Sequence, residues 1–227
     1  MAPVVVHHLN QSRSLRVLWL LEELGVEYSI TTYERNPKTL RAPPALREAH
    51  PLGKAPVVEI EGRTYAETGV IIEALCDRFD ADHRLRPSPD DIDAFENYRF
   101  FLHYSEGSLM PPLLVALITR RLRTAPLPFF IKPVVKRIAG RLDASFTNGE
   151  LELHGQFVEQ HLASHAYFAG DAFSAADVVM QYAVEGGLAR GMFGAGHPST
   201  RAWFERVKAR DAYRRAVERG GESELSL

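Results

Sequence analysis

Between residues 80 and 91 the chain changes texture, and that change limits the available folds more than any other feature. Up to residue 80, short apolar runs alternate with helical patterns. "PVVVHHL" reads as a short buried strand, and residues 14–24, with Val17, Leu18, Leu21 and Leu24 on one face, read as a helix. "VEYSITTYE" reads as a second strand. "RNPKTLRAPPALREAHPLGKAP" is a long irregular stretch with one helical turn, and loops of that length are usually functional when ordered. "PVVEIEGRTYAET" reads as a hairpin meeting at Glu61-Gly62, and "TGVIIEALCDRF" as a helix. "DADHRLRPSPDD" is then a charged, Pro-containing linker, and only helical patterns follow it. Pro111-Pro112 is expected to break or kink the first of these helices. The expected organisation is a small α/β unit over residues 1–80 and an all-helical unit over 91–227.

The 227 residues are 45% hydrophobic and 25% charged, which suits a soluble globular protein. The formal net charge of −2 argues against a nucleic-acid partner. The densest basic stretch, "TRRLRTAPLPFFIKPVVKR", interleaves its charges with apolar residues and reads as a solvated helix face. A single cysteine, Cys76, excludes an internal disulfide framework or zinc knuckle and fits a reducing, cytoplasmic home. "MAPVVVHHL" lacks the basic start and long apolar core of a signal peptide. No apolar run approaches the roughly 18 residues of a membrane span, so no membrane partner is expected.

Four places hold residues that can carry chemistry. At the first strand-to-helix step stands a polar knot, Asn10-Gln11-Ser12-Arg13-Ser14. An N-cap would explain it, and so would a site that stabilises an anion. Pro56 follows Lys54 and Ala55 at a strand start, where base rates favour a trans bond. Glu67 and Thr68 open a helix as a capping pair, or as partners for an ammonium and a carboxylate. "SAAD" at Ser174–Asp177 is a capping-box variant with a folding role only. His154, His161 and His165 share a helix face but lack partners at metal-ligand spacing, so no metal is expected. No Gly-x-Ser-x-Gly surrounds any serine, which sets aside a serine hydrolase.

Through "SRSLRVLWLLEELG", "HPLGKAPVVE", "YAETGVIIEAL" and "YFAGDAFSAADVVM" the chain resembles, nearly end to end, the cytosolic glutathione transferases. "LHYSEGSLMPPLL" resembles their bacterial and fungal branches. The resemblance implies a thioredoxin-like domain followed by an all-α domain, glutathione as co-substrate, and a two-fold homodimer. It implies a cis Ala55-Pro56 bond, with Ala55 pairing to the cysteinyl backbone of glutathione, although valine is commoner than alanine there. Lys54 would meet the glycyl carboxylate, and Glu67 and Thr68 the γ-glutamyl end. Glu106 is a further candidate contact to the ammonium, within the chain or across a dimer.

Phe100, Tyr104 and Met110 are the implied electrophile pocket. The sulfur's partner would be a serine: the first strand ends in His7-His8 rather than tyrosine, and the knot has no cysteine. Counting four residues back from Arg16 reaches Ser12, with Ser14 and Asn10 as rivals and Arg13 as a possible cationic aid. The expected reaction is thiolate attack on a small hydrophobic electrophile, or on a peroxide. The alternative is a non-catalytic protein of the same fold that binds a ligand or partner.

Overall fold

The computed structural model of the protein describes residues 4–221. Pro3, read above as part of the first strand, and the domain limits at 1 and 227 lie outside the described residues. The first unit runs β1 (Val4–Leu9), α1 (Ser14–Leu24), β2 (Tyr28–Tyr33), α2 (Leu46–Ala49), β3 (Val57–Ile60), β4 (Arg63–Ala66) and α3 (Thr68–Phe79). The four strands form one sheet in the order β2-β1-β3-β4. β1 and β2 are parallel, because α1 carries the chain back across the sheet, while β3 is antiparallel to both β1 and β4. Glu61 and Gly62, at φ 51° and 79°, make the tight turn between β3 and β4. β1 is central and covered on both faces, which is why its apolar run is continuous.

The second unit contains α4 (Ile92–Tyr104), α5 (Met110–Thr124), α6 (Lys132–Leu142), α7 (Asn148–Ser164), α8 (Ala175–Ala189), α9 (Pro198–Lys208) and α10 (Asp211–Gly220). Pro111 and Pro112 do interrupt the α-helical ladder, but the chain keeps its helical course. A π-helical turn, Ser105–Leu109, joins α4 to α5 and sets the prolines in the first turn of α5, where a missing N–H costs least. A second π-helical turn, Asp143–Thr147, joins α6 to α7, so these two helices follow one another directly. Asp80 organises the linker: its carboxylate accepts from the backbone N–H groups of Arg84, Leu85 and Arg86.

One feature organises the second unit from within, and another ties it to the first. Ser174 and Asp177 close a capping box at the start of α8. Asp177 is fully buried and accepts from Phe168 N, Ser174 N, Ser174 Oγ and Trp203 Nε1 at 2.8–3.0 Å. Separately, α10 returns to pack along α1. Glu22 takes Arg215 and Arg219, and Glu23 takes Arg210 through Nε and Nη2 at 2.6 and 2.8 Å. With α10 on one side and α3, α8 and β1 on the others, α1 is buried almost all round, Arg16 and Trp19 included, rather than on one face.

Candidate functional site

The knot after β1 is wired inward. Asn10 Oδ1 accepts from Arg35 N at 2.8 Å, and Gln11 takes a left-handed φ of 49°. Arg13, not Ser14, is the N-cap of α1, and its side chain caps nothing. Ser14 is the first helical residue, and Ser12 Oγ accepts its N–H at 3.2 Å. The proton positions follow from the acceptors. His8 Nε2 lies 2.8 Å from the carbonyl of Gly220, which can only accept, so Nε2 carries the hydrogen. Burial, opposed by that bond, lowers the His8 pKa, so the ring is neutral and Nδ1 is an acceptor. Ser14 Oγ, 2.8 Å away, donates to it. Ser12 Oγ then donates to Leu9 O or to Ser14 Oγ, each at 2.7 Å.

Around the knot the structure opens two adjoining cavities. The smaller, about 230 Å³, is lined by Arg13, Lys54, Ala55, Pro56, Glu67, Thr68 and Glu106, together with His50, Leu52 and Ala66. The Ala55-Pro56 bond is cis. Glu67 sits at the N-cap of α3 with φ 71°, outside the region non-glycine residues favour, and its side chain makes no cap bond. The capping-pair reading of Glu67 therefore does not hold. Instead a helix start without a side-chain cap, with Thr68 in its first turn, faces the cavity.

Glu106 reaches this cavity from the π-helical turn of its own chain, so no second subunit is needed to bring it there. Its Oε1 accepts from Arg13 Nε at 2.9 Å and from the buried Arg16 Nη1 at 2.6 Å. Burial would raise the Glu106 pKa, but Arg16 and Arg13 outweigh it and hold the carboxyl below its ordinary value.

The larger cavity, about 660 Å³, shares Arg13, Leu52, Lys54 and Ala55 with the first and adds Arg35, Arg41 and Arg47. Sequence reasoning missed these three arginines. Their only signal was the long irregular loop. Arg35 is fixed by the carbonyls of Asn10, Gln11 and Leu40 at 2.9–3.2 Å, which ties the loop to the knot.

Ser12, Ser14 and Asn10 line neither cavity. Ser12 and Ser14 are buried, and Asn10 is half-buried. Phe100, Tyr104 and Met110 do not line these cavities either, because α4 turns its aromatic side toward α7. Phe100 stacks on Tyr104 and meets Phe157 edge-on, and Tyr104 Oη lies 2.6 Å from His154 Nδ1. Met110 packs against the core. His161 and His165 stack on each other, with His161 Nε2 donating to the carbonyl of Phe168.

Two family models match the chain: the glutathione S-transferase N-terminal domain over residues 12–78 and the glutathione S-transferase C-terminal domain over 147–211. Glutathione S-transferase 3 of Schizosaccharomyces pombe is 34% identical over 224 residues, covering 99% of this chain and 90% of that protein. Glutathione S-transferase 1 of Saccharomyces cerevisiae is 31% identical, covering 96% and 95%. Among solved structures, a glutathione S-transferase of Actinobacillus pleuropneumoniae is 32% identical with a TM-score of 0.82, covering 98% of this chain and 95% of its own.

Proposed function

Because the chain belongs to the glutathione S-transferase family, we propose that it binds glutathione across the smaller cavity and activates its thiol for attack on small hydrophobic electrophiles. It is a glutathione transferase with glutathione as co-substrate. The observation that carries the placement is the start of α3 without a side-chain cap. The amides there and Thr68 receive the γ-glutamyl carboxylate, while Glu67, aided by Glu106, receives the ammonium. Ala55 meets the cysteinyl backbone, and Lys54 the glycyl carboxylate. In this reading residues 1–80 supply the peptide site and 91–227 close over it.

A free thiol ionises near pH 8.5, so the site must favour the thiolate. We assign that task to Ser12, which makes the enzyme serine-type. Ser14's proton is committed to His8, whose acceptor nitrogen is fixed by Gly220, while Asn10, whose Oδ1 accepts from Arg35 N, keeps its Nδ2 donor and remains the rival. Ser12 can turn its proton from Leu9 O to the sulfur. Arg13, lining both cavities, adds positive charge, and the electrophile meets the sulfur there rather than beside Phe100, Tyr104 and Met110. A peroxide could take the electrophile's place. A homodimer is part of the proposal, supported by exposed Val70 on α3 and Ile92 on α4, and so is a cytoplasmic location, supported by the lone free thiol of Cys76.

The test is an ultraviolet thiolate titration with glutathione bound. One charge-assisted hydrogen bond is worth roughly 1.5–3 kcal/mol, so Ser12→Ala should raise the bound thiol's pKa by about one unit or more. Glutathione affinity should stay nearly unchanged. A shift seen only in Ser14→Ala or Asn10→Ala would move the role to that neighbour. An unshifted wild-type thiol would favour the non-catalytic reading, which the buried Ser12–Leu9 bond also supports.

A further inference from the structure

The hairpin of α5 and α6 takes no part in the site. From Gly107 to Leu142 the chain has seven arginines and lysines and no aspartate or glutamate, within a protein of net charge −2. Arg123 pairs with Asp143. Arg121, Lys132, Lys136, Arg137 and Arg141 have no ion-pair partner among the described residues.

The same hairpin shows its apolar side chains to the outside. Phe129 and Phe130, between the two helices, are 84% and 66% exposed. Ile131, Val134, Ile138 and Leu142 are exposed as well. At 3.6 residues per turn these four fall on one arc of α6, bordered by Arg137 and Arg141. On α5, Ile118 and Leu122 form a matching exposed arc bordered by Arg121. The stretch that read as a solvated helix face is therefore an amphipathic one, with aromatic residues at its tip and cations beside its apolar stripe.

We propose that this tip docks on an anionic phospholipid surface. Phe129 and Phe130 enter the boundary between headgroups and acyl chains, while Arg121, Arg137 and Arg141 face lipid phosphates. This is a peripheral contact, not a span, and it does not rest on the transferase reading. Charge selects this occupant. A second copy joined through the same face about a two-fold axis would set this acid-free surface against itself. A nucleic acid would satisfy the cations but would leave the aliphatic stripe between them against a polyphosphate.

The experiment is co-sedimentation of the full chain with vesicles of phosphatidylcholine, alone or with about 30% phosphatidylglycerol, at low and high salt. Binding is expected only to the anionic vesicles, weakening at high salt. Phe129→Ser/Phe130→Ser and Arg121→Gln/Arg137→Gln/Arg141→Gln should each reduce vesicle partitioning at least tenfold, with turnover in solution unchanged. Equal binding to neutral vesicles, or none to either, overturns the proposal. So does a Phe129→Ser/Phe130→Ser variant that binds vesicles as wild type does. If that variant instead converts a dimer to a monomer in sedimentation, the face belongs to a second copy and the proposal fails. Tighter retention on duplex DNA than on anionic vesicles also sinks it.

Discussion

The β1–α1 junction and the α5–α6 hairpin are opposites. At the junction, and along the α1–α10 seam that continues it, polar side chains close on one another and on α10: Ser12 on Leu9, Ser14 on His8, His8 on Gly220, Glu23 on Arg210. At the hairpin tip, apolar side chains and unpaired cations face outward. The first arrangement fixes a backbone beside a reaction. The second leaves the molecule's surface free energy unrelieved until something covers it. Rigidity and stickiness are thus allotted to different parts of one chain, and substitutions should behave differently in each.

The largest expected effect lies at the far end of α1, on the seam with α10. Glu23 is nearly buried, binds Arg210 through two bonds and accepts from Trp19 Nε1 at 2.9 Å. Glu23→Gln keeps the shape but sets an NH₂ group against a donor and removes the charge Arg210 is held by. A loss of about 2–3 kcal/mol is expected from the urea midpoint. Arg137→Gln, in the hairpin, should stay within about 0.5 kcal/mol. Equal losses at the two places would break the comparison.

A matched pair of glycines sharpens it. A Cβ on Gly220 would lie 2.4 Å from Leu18 Cδ1 and 3.2 Å from His8 Cε1, both in buried side chains. Gly220→Ala should therefore destabilise by roughly 1–3 kcal/mol and disturb His8. Gly140, inside α6, has only Arg123 Nη2 near such an atom, at 3.9 Å. Gly140→Ala should stabilise by roughly 0.5–1 kcal/mol through helix propensity alone. Thermal melts that gave both changes the same sign would contradict this.

What could be read in the sequence follows the same division. The strand–helix alternation, the Glu61-Gly62 turn and the "SAAD" box are local, and local chemistry decides them. Lys54, Ala55, Pro56, Glu67 and Thr68 line one cavity because a short hairpin separates them. The polar burial of α1 was hidden because its cover, α10, lies almost 200 residues away. Trp19 is covered by Tyr213 of α10, and Arg16 by Tyr182 of α8 and by Glu106, partners that no local pattern shows. Arg35, Arg41 and Arg47 carry no period or motif in an irregular loop. Where Phe100, Tyr104 and Met110 point could not be read in the sequence for a related reason: the face a helix turns to a cleft depends on which neighbours it packs against, here α7 and α8.

The smallest effect is a pH dependence of the α1–α10 seam. Burial would raise the Glu22 pKa, but Arg215, Tyr28 and Arg219 together hold it below the ordinary carboxylate value. A carboxyl depressed in the folded state binds fewer protons there than in the unfolded chain at mildly acid pH. Its contribution is therefore complete at neutral pH and is lost as pH falls, from about pH 5 toward about pH 3. The wild-type melting temperature should drop over that window. In Glu22→Gln the drop should be shallower, because the amide has no proton to take up, although the variant starts lower at neutral pH. Arg137→Gln has no such partner, and its melting curve should run parallel to wild type throughout. If Glu22→Gln also runs parallel, the seam's ion pairs do not couple to folding and α10 is held to α1 by apolar packing alone.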